Sequence, residues 1–382
     1  MRKSSGKEKG KLIEYYTFAT DRTRIALQTE SYEKHRNDKI KILNWIIPDM
    51  GEGSGGHINM FRFISRLEDM GFHSRLYLYQ SLLYHSDEEI RTFLREKFLM
   101  LDERVEVYQD VGSMEFAHAT IATFWQTAYY LNRFDNTISK FYFIQDYEPY
   151  FYAKGSDYEL AAQTYQFGFR GITAGDWLKE KLSGEFGMKA DSFRFSYDRE
   201  VYTRKEKKRP GKRVFFYARP VTPRRDFELG LLALQELCRR MKDVQVVFAG
   251  WDVEEYVIPF PYQNLGIVPV ERLSELYADC DLCLVISHTN LSLLPLEIMA
   301  SGSVAVCSKG RNSSWLVDEN NAVLVSYDAL DIADKLEYYL KHREELEKIR
   351  NQGLAFALST SWEKEAVKVK DALLKGIAED ET

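Results

Sequence analysis

The chain has 382 residues, of which 45% are apolar and 29% charged, and a formal net charge of −6. That length exceeds what one compact core fills and calls for two domains, while the mildly acidic balance argues against a nucleic-acid-binding protein. No apolar stretch is long enough to span a bilayer, and the opening MRKSSGKEKGK lacks the apolar segment of a signal peptide. A cytoplasmic protein is expected, with peripheral attachment to the inner face of the plasma membrane left open. Aromatic residues, 24 Tyr and 23 Phe, supply core and suit stacking on sugars or bases. Cys238, Cys280, Cys283 and Cys307 lie within apolar runs and read as small buried hydrophobes in a reducing compartment.

Residues 1–38 are polar and mixed in charge, and read as a tail or appended segment. IKILNWII (40–47) is a buried strand, followed by the glycine-rich PDMGEGSGGHINM and an amphipathic helix over 58–72. Further strands are expected at 74–79, 105–109, 119–125 and 140–146, with helices between most of them, and GITAGDWLKEKL (171–182) adds a strand and a helix. This alternation implies a parallel sheet covered on both faces. The basic break TRKEKKRPGKR (203–213) reads as a solvated linker, with nucleic-acid or lipid contact the lesser reading. Beyond it the alternation restarts: strands at 213–218, 244–250, 281–287 and 304–308, with helices over 227–241, 270–280, 294–302, 329–352 and 361–379. The expected division is an N-terminal Rossmann-like domain over 39–205, a C-terminal one over 206–355, and a last helix in 356–382 that packs back on the first. The fold class is α/β, two doubly wound domains facing a central cleft, with ligands at the strands' carboxyl ends.

Gly51, Gly53 and Gly56 satisfy G-x-G-x-x-G. A dinucleotide site also needs a carboxylate closing the second strand, where this chain has Gln80 and Ser81, and Asp87 comes too late. The glycines still imply positive φ or a close backbone approach, and a loop leading into a helix near His57 is an anion site. Gly55, Gly56 and His57 are therefore candidate contacts for a donor sugar or acceptor. In the second half, Arg219 follows a strand directly and Arg224 and Arg225 come shortly after, three cations able to clamp a diphosphate. In SHTNLSLLPLEIMASG, Ser292 and Pro295 suit a helix start, so the amides of Leu293 and Leu294 face an anion and Glu297 falls in the first turn.

The order strand–Arg–Arg–helix, then FAG, NLGIVPVERLSELYADCDLCLVIS and LPLEIMASGSVAVCS, resembles the second domain of the retaining GT-B nucleotide-sugar glycosyltransferases. FYFIQDYEPYFYAKGSDYELAAQTYQFGFRGITAGDWL resembles their rhamnosyltransferase branch, which acts in bacterial S-layer glycan and surface-polysaccharide assembly. The resemblance implies transfer of L-rhamnose from dTDP-L-rhamnose to a growing rhamnan, itself free or lipid-carried, with retention and without cofactor or metal. It implies that Arg219 and either Arg224 or Arg225 bind the diphosphate, that Val268 and Leu273 flank the pyrimidine, that Glu297 holds the ribose, and that Ser292, Leu293 and Leu294 hold phosphate through their amides. The family's E-x7-E motif keeps its second carboxylate at Glu297 but has Thr289 in first place, beside the sugar; a deoxy sugar tolerates that loss.

DCD (279–281) imitates a metal-binding DxD, but it straddles a helix end and a strand start, where structural roles prevail. Cys280 and Cys283 form a C-x-x-C without a second pair. His118, Asp146 and Glu148 are further candidates for sugar or acceptor contact. Alternatives are a non-catalytic nucleotide-sugar- or glycan-binding protein and, more remotely, an NAD-dependent oxidoreductase.

Overall fold

The computed structural model describes residues 11–381. Two compact units divide the chain, Met1–Phe193 with Glu363–Thr382, and Arg194–Trp362.

The first unit holds strands β1 (Lys41–Ile47), β2 (Phe72–Leu78), β3 (Glu106–Tyr108), β4 (Ala117–Ala122), β5 (Thr137–Ile144), β6 (Arg170–Ala174) and β7 (Ala190–Phe193). They form one sheet of order β3-β2-β1-β4-β5-β6-β7, parallel throughout. β1 is buried from Ile42 to Ile47 and β4 along its whole length, the near-continuous burial expected of parallel strands covered on both faces. The chain leaves β1 for one side of the sheet and returns to the other at β4, so the switch in strand order falls between them.

Part of the N-terminal segment lies outside the described residues, but residues from 11 onward are built into this unit. Phe18 is buried against Trp125 and Tyr129, Tyr16 hydrogen-bonds Asp157, and Arg24 makes a two-pronged pair with Asp135 at 2.7 Å. The final helix, Trp362–Asp380, belongs to the first unit from Glu363 onward: Ser139 donates to Asp380 at 2.7 Å, and Arg170 pairs with Glu379 and Asp380. Residues 356–362 stay with the second unit, where the helix Arg343–Ser359 ends.

The second unit holds β8 (Lys212–Tyr217), β9 (Val244–Ala249), β10 (Tyr262–Asn264), β11 (Leu282–Val285), β12 (Val304–Ser308) and β13 (Val323–Val325) in the parallel order β10-β9-β8-β11-β12-β13. Its switch lies between β8 and β11. Residues 194–202 belong here because Phe195 packs on Trp315, Arg199 donates to the carbonyls of Leu358 and Thr360, and Tyr202 stacks on Tyr277. The basic stretch 203–213 is therefore part of the second unit rather than a connector between the two. A helical run expected over 329–352 is two helices, Ala329–Lys341 and Arg343–Ser359, broken at His342.

Phe216 on β8 is fully buried between Phe227 and Phe248. The helix Phe227–Arg240 crosses it at Gly230, where an added Cβ would come within 2.1 Å of the ring tip. Gly230→Ala should cost about 1–3 kcal/mol by overpacking, read as a lowered melting temperature; an unchanged melting temperature would show that the helix shifts without penalty.

Candidate functional site

The loop after β8 carries Ala218, Arg219 and Pro220 and then a 3-10 turn, Pro223–Arg225, before the helix Phe227–Arg240. The loop after β11 runs from Ile286 to the short helix Leu294–Ala300. These loops leave the carboxyl ends of the two strands that flank the switch, where open α/β sheets bind ligands. The second unit therefore brings Arg219, Arg224 and Arg225 to the same edge as Ser292, Leu293, Leu294 and Glu297.

His288 joins the loops. Its N–H donates to the Arg224 carbonyl at 3.0 Å, and its imidazole lies 2.8 Å from the Asp226 carboxylate. Tyr327 stacks on that ring at 4.1 Å and donates through its hydroxyl to the Ser287 carbonyl at 2.7 Å. Asn312 donates to the carbonyls of Ser287 and Thr289, at 3.2 and 2.6 Å. Burial pushes the Asp226 carboxyl above its ordinary value, and His288 beside it works the other way. Asp226 has φ +48° and Ser292 φ +63°, two of the three non-glycine residues at positive φ among the described residues. Such backbone persists only where surroundings enforce it, and it collects at binding sites.

Arg219 donates to the Gly250 carbonyl at 3.2 Å and lies over Trp251 at 5.6 Å. Gly250 in turn donates to the Gly266 carbonyl at 2.8 Å, so the loops after β9 and β10 are coupled to the arginine loop. Val268 follows in the β10 loop, and Leu273 lies in the helix Val270–Ala278; both are half-buried. The two adjacent arginines differ. Arg225 is 9% exposed and sits over Tyr217, while Arg224 is more open. Glu297 is half-buried in the first turn of its helix, close enough to Tyr277 to help raise that phenol. The opening amides of a helix have no intrahelical acceptor, which leaves those at Leu293 and Leu294 disposed toward an anion; the Ser292 N–H, expected to join them, is instead taken by Asn290 Oδ1 at 2.8 Å.

Thr289 does not contact a sugar as expected. It is fully buried, its N–H donating to Ser287 Oγ at 3.2 Å, and serves as loop framework.

In the first unit, the glycine loop follows β1 at the other switch. Gly53 has φ +70°, which explains that glycine, and the helix Gly55–Asp69 begins with Gly55 and Gly56 exposed. His57 faces the loop: Ser54 Oγ lies 2.8 Å from Nδ1 and the Pro48 carbonyl 3.3 Å from Nε2. Burial lowers its pKa from 6.5 to about 4, so the neutral ring, expected as a sugar contact, clamps the loop with both nitrogens. His118 is likewise corrected to a structural residue, since it is fully buried, accepts from Ile42 N–H at 2.9 Å and meets the His35 carbonyl at 2.9 Å. Asp146 is half-buried at the end of β5 and accepts from the Tyr147 N–H. Glu148 is not a sugar contact either: it is buried beneath Tyr165 and accepts from the Trp125 N–H at 2.7 Å, which anchors the helix Trp125–Arg133. Asp87, the late carboxylate, accepts from Gln109 N–H at 2.7 Å and holds β3 in place.

The carboxylates of DCD are engaged. Asp279 accepts from the amides of Lys208 and Arg209, and Asp281 takes Lys207 and Arg343, each at 2.6 Å. Cys280 and Cys283 are buried free thiols. Residues that motif reasoning missed, His288, Asp226, Asn312, Tyr327 and Trp251, act through tertiary contacts; only the strand-end positions of Trp251 and His288 gave any hint.

Residues 212–337 match the family described as WsaF, C-terminal domain. The chain is 32% identical over 345 residues, 88% of its length, to the O-antigen biosynthesis protein RfbC of Myxococcus xanthus. It spans only 27% of that relative's length. Among solved structures, sucrose-phosphate synthase from Thermosynechococcus elongatus is similar with a TM-score of 0.66 at 12% identity, over 89% of this chain and all of that one. Anabaena Alr3699/HepE, solved in complex with UDP and glucose, is similar with a TM-score of 0.65 at 14% identity, over the same shares. The chain has the GT-B fold. No helix among the described residues is long and apolar enough to cross a membrane.

Burial raises the Glu148 pKa from 4.5 to about 8. The raised value means that the folded state holds a proton the unfolded chain releases, so the contribution is complete below 4.5 and lost as the pH climbs toward 8. Glu148→Gln keeps the acceptor without the titration. Its melting temperature should therefore gain on the wild type steadily across that window; parallel curves would contradict a buried, protonated Glu148.

Proposed function

We propose that the protein is a glycosyltransferase that moves L-rhamnose from dTDP-L-rhamnose to a growing bacterial surface glycan, with retention of configuration. One observation carries the reading: three arginines and the amide-presenting start of the Leu294 helix flank one topological switch point, fastened to each other by His288. Arg219 and the amides of Leu293 and Leu294 hold the diphosphate. Of the neighbouring pair, Arg224 is the better placed for phosphate, because Arg225 is enclosed over Tyr217. Val268 and Leu273 flank the base, and Glu297 accepts from the ribose hydroxyls. The likeness to an O-antigen biosynthesis protein and to a structure holding UDP and glucose supports a nucleotide-sugar donor and a glycan acceptor. Thymidine and rhamnose rest on the branch resemblance of residues 141–178.

The chemistry is electrostatic. As the glycosidic bond to the leaving phosphate breaks, negative charge grows on the diphosphate, and guanidinium groups and fixed amides stabilise it without reorganising. The departing phosphate takes the acceptor's proton, so no side-chain base is required. Gly55 and Gly56 leave a backbone without side chains for the acceptor, with Asp146 as a polar contact. The reaction takes place in the cytoplasm, where nucleotide sugars are available.

The fully buried Thr289, in place of a family carboxylate, favours a second reading in which the protein binds a nucleotide sugar without turning it over. Release of dTDP from dTDP-L-rhamnose in the presence of a rhamnan acceptor separates the two. The wild type should release it, and Arg219→Ala should lower the rate by about 10²–10³-fold with little change in melting temperature. A variant with normal turnover would refute the clamp, and a wild type that is stabilised by dTDP yet inert would favour the binding protein.

A further inference from the structure

The second unit has a cavity of about 810 Å³ at the opposite end of its strands from the arginine loop. One wall is the segment 204–211, which leads into β8. The others are Ala278 and Asp281 ahead of β11, Gly302 ahead of β12, and the helix Arg343–Ser359. Seven Lys and Arg side chains line it against three acidic ones, in a chain whose overall charge is −6.

This wall is not a solvated linker. The Thr203 N–H donates to Ser274 Oγ, the Lys205 N–H to the Ser301 carbonyl, and the Lys208 N–H to Asp279. Asp281, 1% exposed, is the clasp: it accepts from Lys207, Arg343 and the Arg213 N–H, and these partners hold its carboxyl below the ordinary value against the effect of burial. Two aspartates thus pull a run of like charges onto the sheet edge. Repulsion among the cations opposes that arrangement. Neutralisation by the clasp is incomplete, because Arg204 and Lys205 line the cavity with no side-chain ion pair among the described residues, Lys205 feeling only the more distant charge of Glu275. The Arg204 stem lies over Gly302, whose φ is +88° and where an added Cβ would meet that stem at 3.2 Å. The volume falls within the range of small-ligand sites, and a cluster of Lys and Arg donors suits phosphate oxygens.

We propose that this cavity is a second anion site, binding a phosphate-bearing ligand through Arg204 and Lys205, separate from the donor site. The same chemistry could come from the headgroup of an anionic phospholipid or from a soluble di- or polyphosphate.

The test uses the full chain carrying Arg219→Ala, so that the donor site does not contribute. Inorganic pyrophosphate is titrated calorimetrically, and sedimentation is followed with vesicles of phosphatidylcholine and phosphatidylglycerol in equal parts, against phosphatidylcholine alone. Adding R204S and K205S, which break no ion pair, should weaken pyrophosphate or vesicle binding by about tenfold or more, and Glu206→Gln should strengthen it. Binding to anionic vesicles that these changes abolish assigns the ligand to a lipid headgroup; pyrophosphate binding alone, equally sensitive, assigns it to a soluble phosphate. No binding in either arm, or binding that ignores all three substitutions, overturns the proposal. In the otherwise wild-type chain, R204S with K205S should leave transfer to a soluble acceptor unchanged, so loss of this site and loss of the donor clamp are told apart.

Discussion

The peptide N–H of His288, held by the carbonyl of Arg224, fixes the geometry on which the functional reading of this chain depends. A parallel sheet can present loops at the carboxyl ends of all its strands, but only at the switch in strand order do two neighbouring loops diverge and leave room for a ligand. Here those loops follow β8 and β11. Left alone, a loop of adjacent arginines would splay by mutual repulsion. The backbone bond to His288, the imidazole at 2.8 Å from Asp226 and the Tyr327 ring behind it oppose that tendency. The positive φ of Asp226 and Ser292 is the conformational cost of the same arrangement.

The two units handle charge in opposite ways. In the second, cations are concentrated at both ends of the sheet: at the carboxyl ends among amides and aromatic rings, at the amino ends clasped by Asp279 and Asp281. In the first, two titratable groups beside the switch are kept neutral: His57 is lowered to about 4 and Glu148 is raised to about 8, in each case chiefly by burial. Neutral groups there stiffen the loops after β1 and β5 without adding charge beside the exposed Gly55 and Gly56. An acceptor sugar, uncharged and rich in hydroxyls, suits such a surface better than an anion does.

Most of the fold was legible because parallel strands buried on both faces leave unbroken apolar runs, such as KILNWII and LCLV. The strands that escaped, β7, β10 and β13, span three or four residues, and ADSF and YQN are too polar to stand out. The helix Asp87–Lys97 also escaped, with only Ile90 and Leu94 buried, although Ser86 caps it by accepting from the Glu89 N–H. The aromatic spacing of Tyr15, Tyr16 and Phe18 was the overlooked sign that the N-terminal segment is packed. At the site, loop position was readable and side-chain direction was not. Nothing local distinguishes His118, turned inward on β4, from a histidine facing a ligand, and Glu148 looks like a strand-end acid until Trp125 is seen above it. His288 went unnoticed for the converse reason: its partners lie 62 and 39 residues away in sequence, at Asp226 and Tyr327.

A crystal structure with thymidine diphosphate bound tests the central claim most directly. The account predicts both phosphates within hydrogen-bonding distance of Arg219 and of the amides at Leu293 and Leu294, with the pyrimidine toward Val268. Phosphates resting against the Gly53–Gly56 loop, or among Arg204 and Lys205 with the β8 and β11 loops vacant, would contradict it.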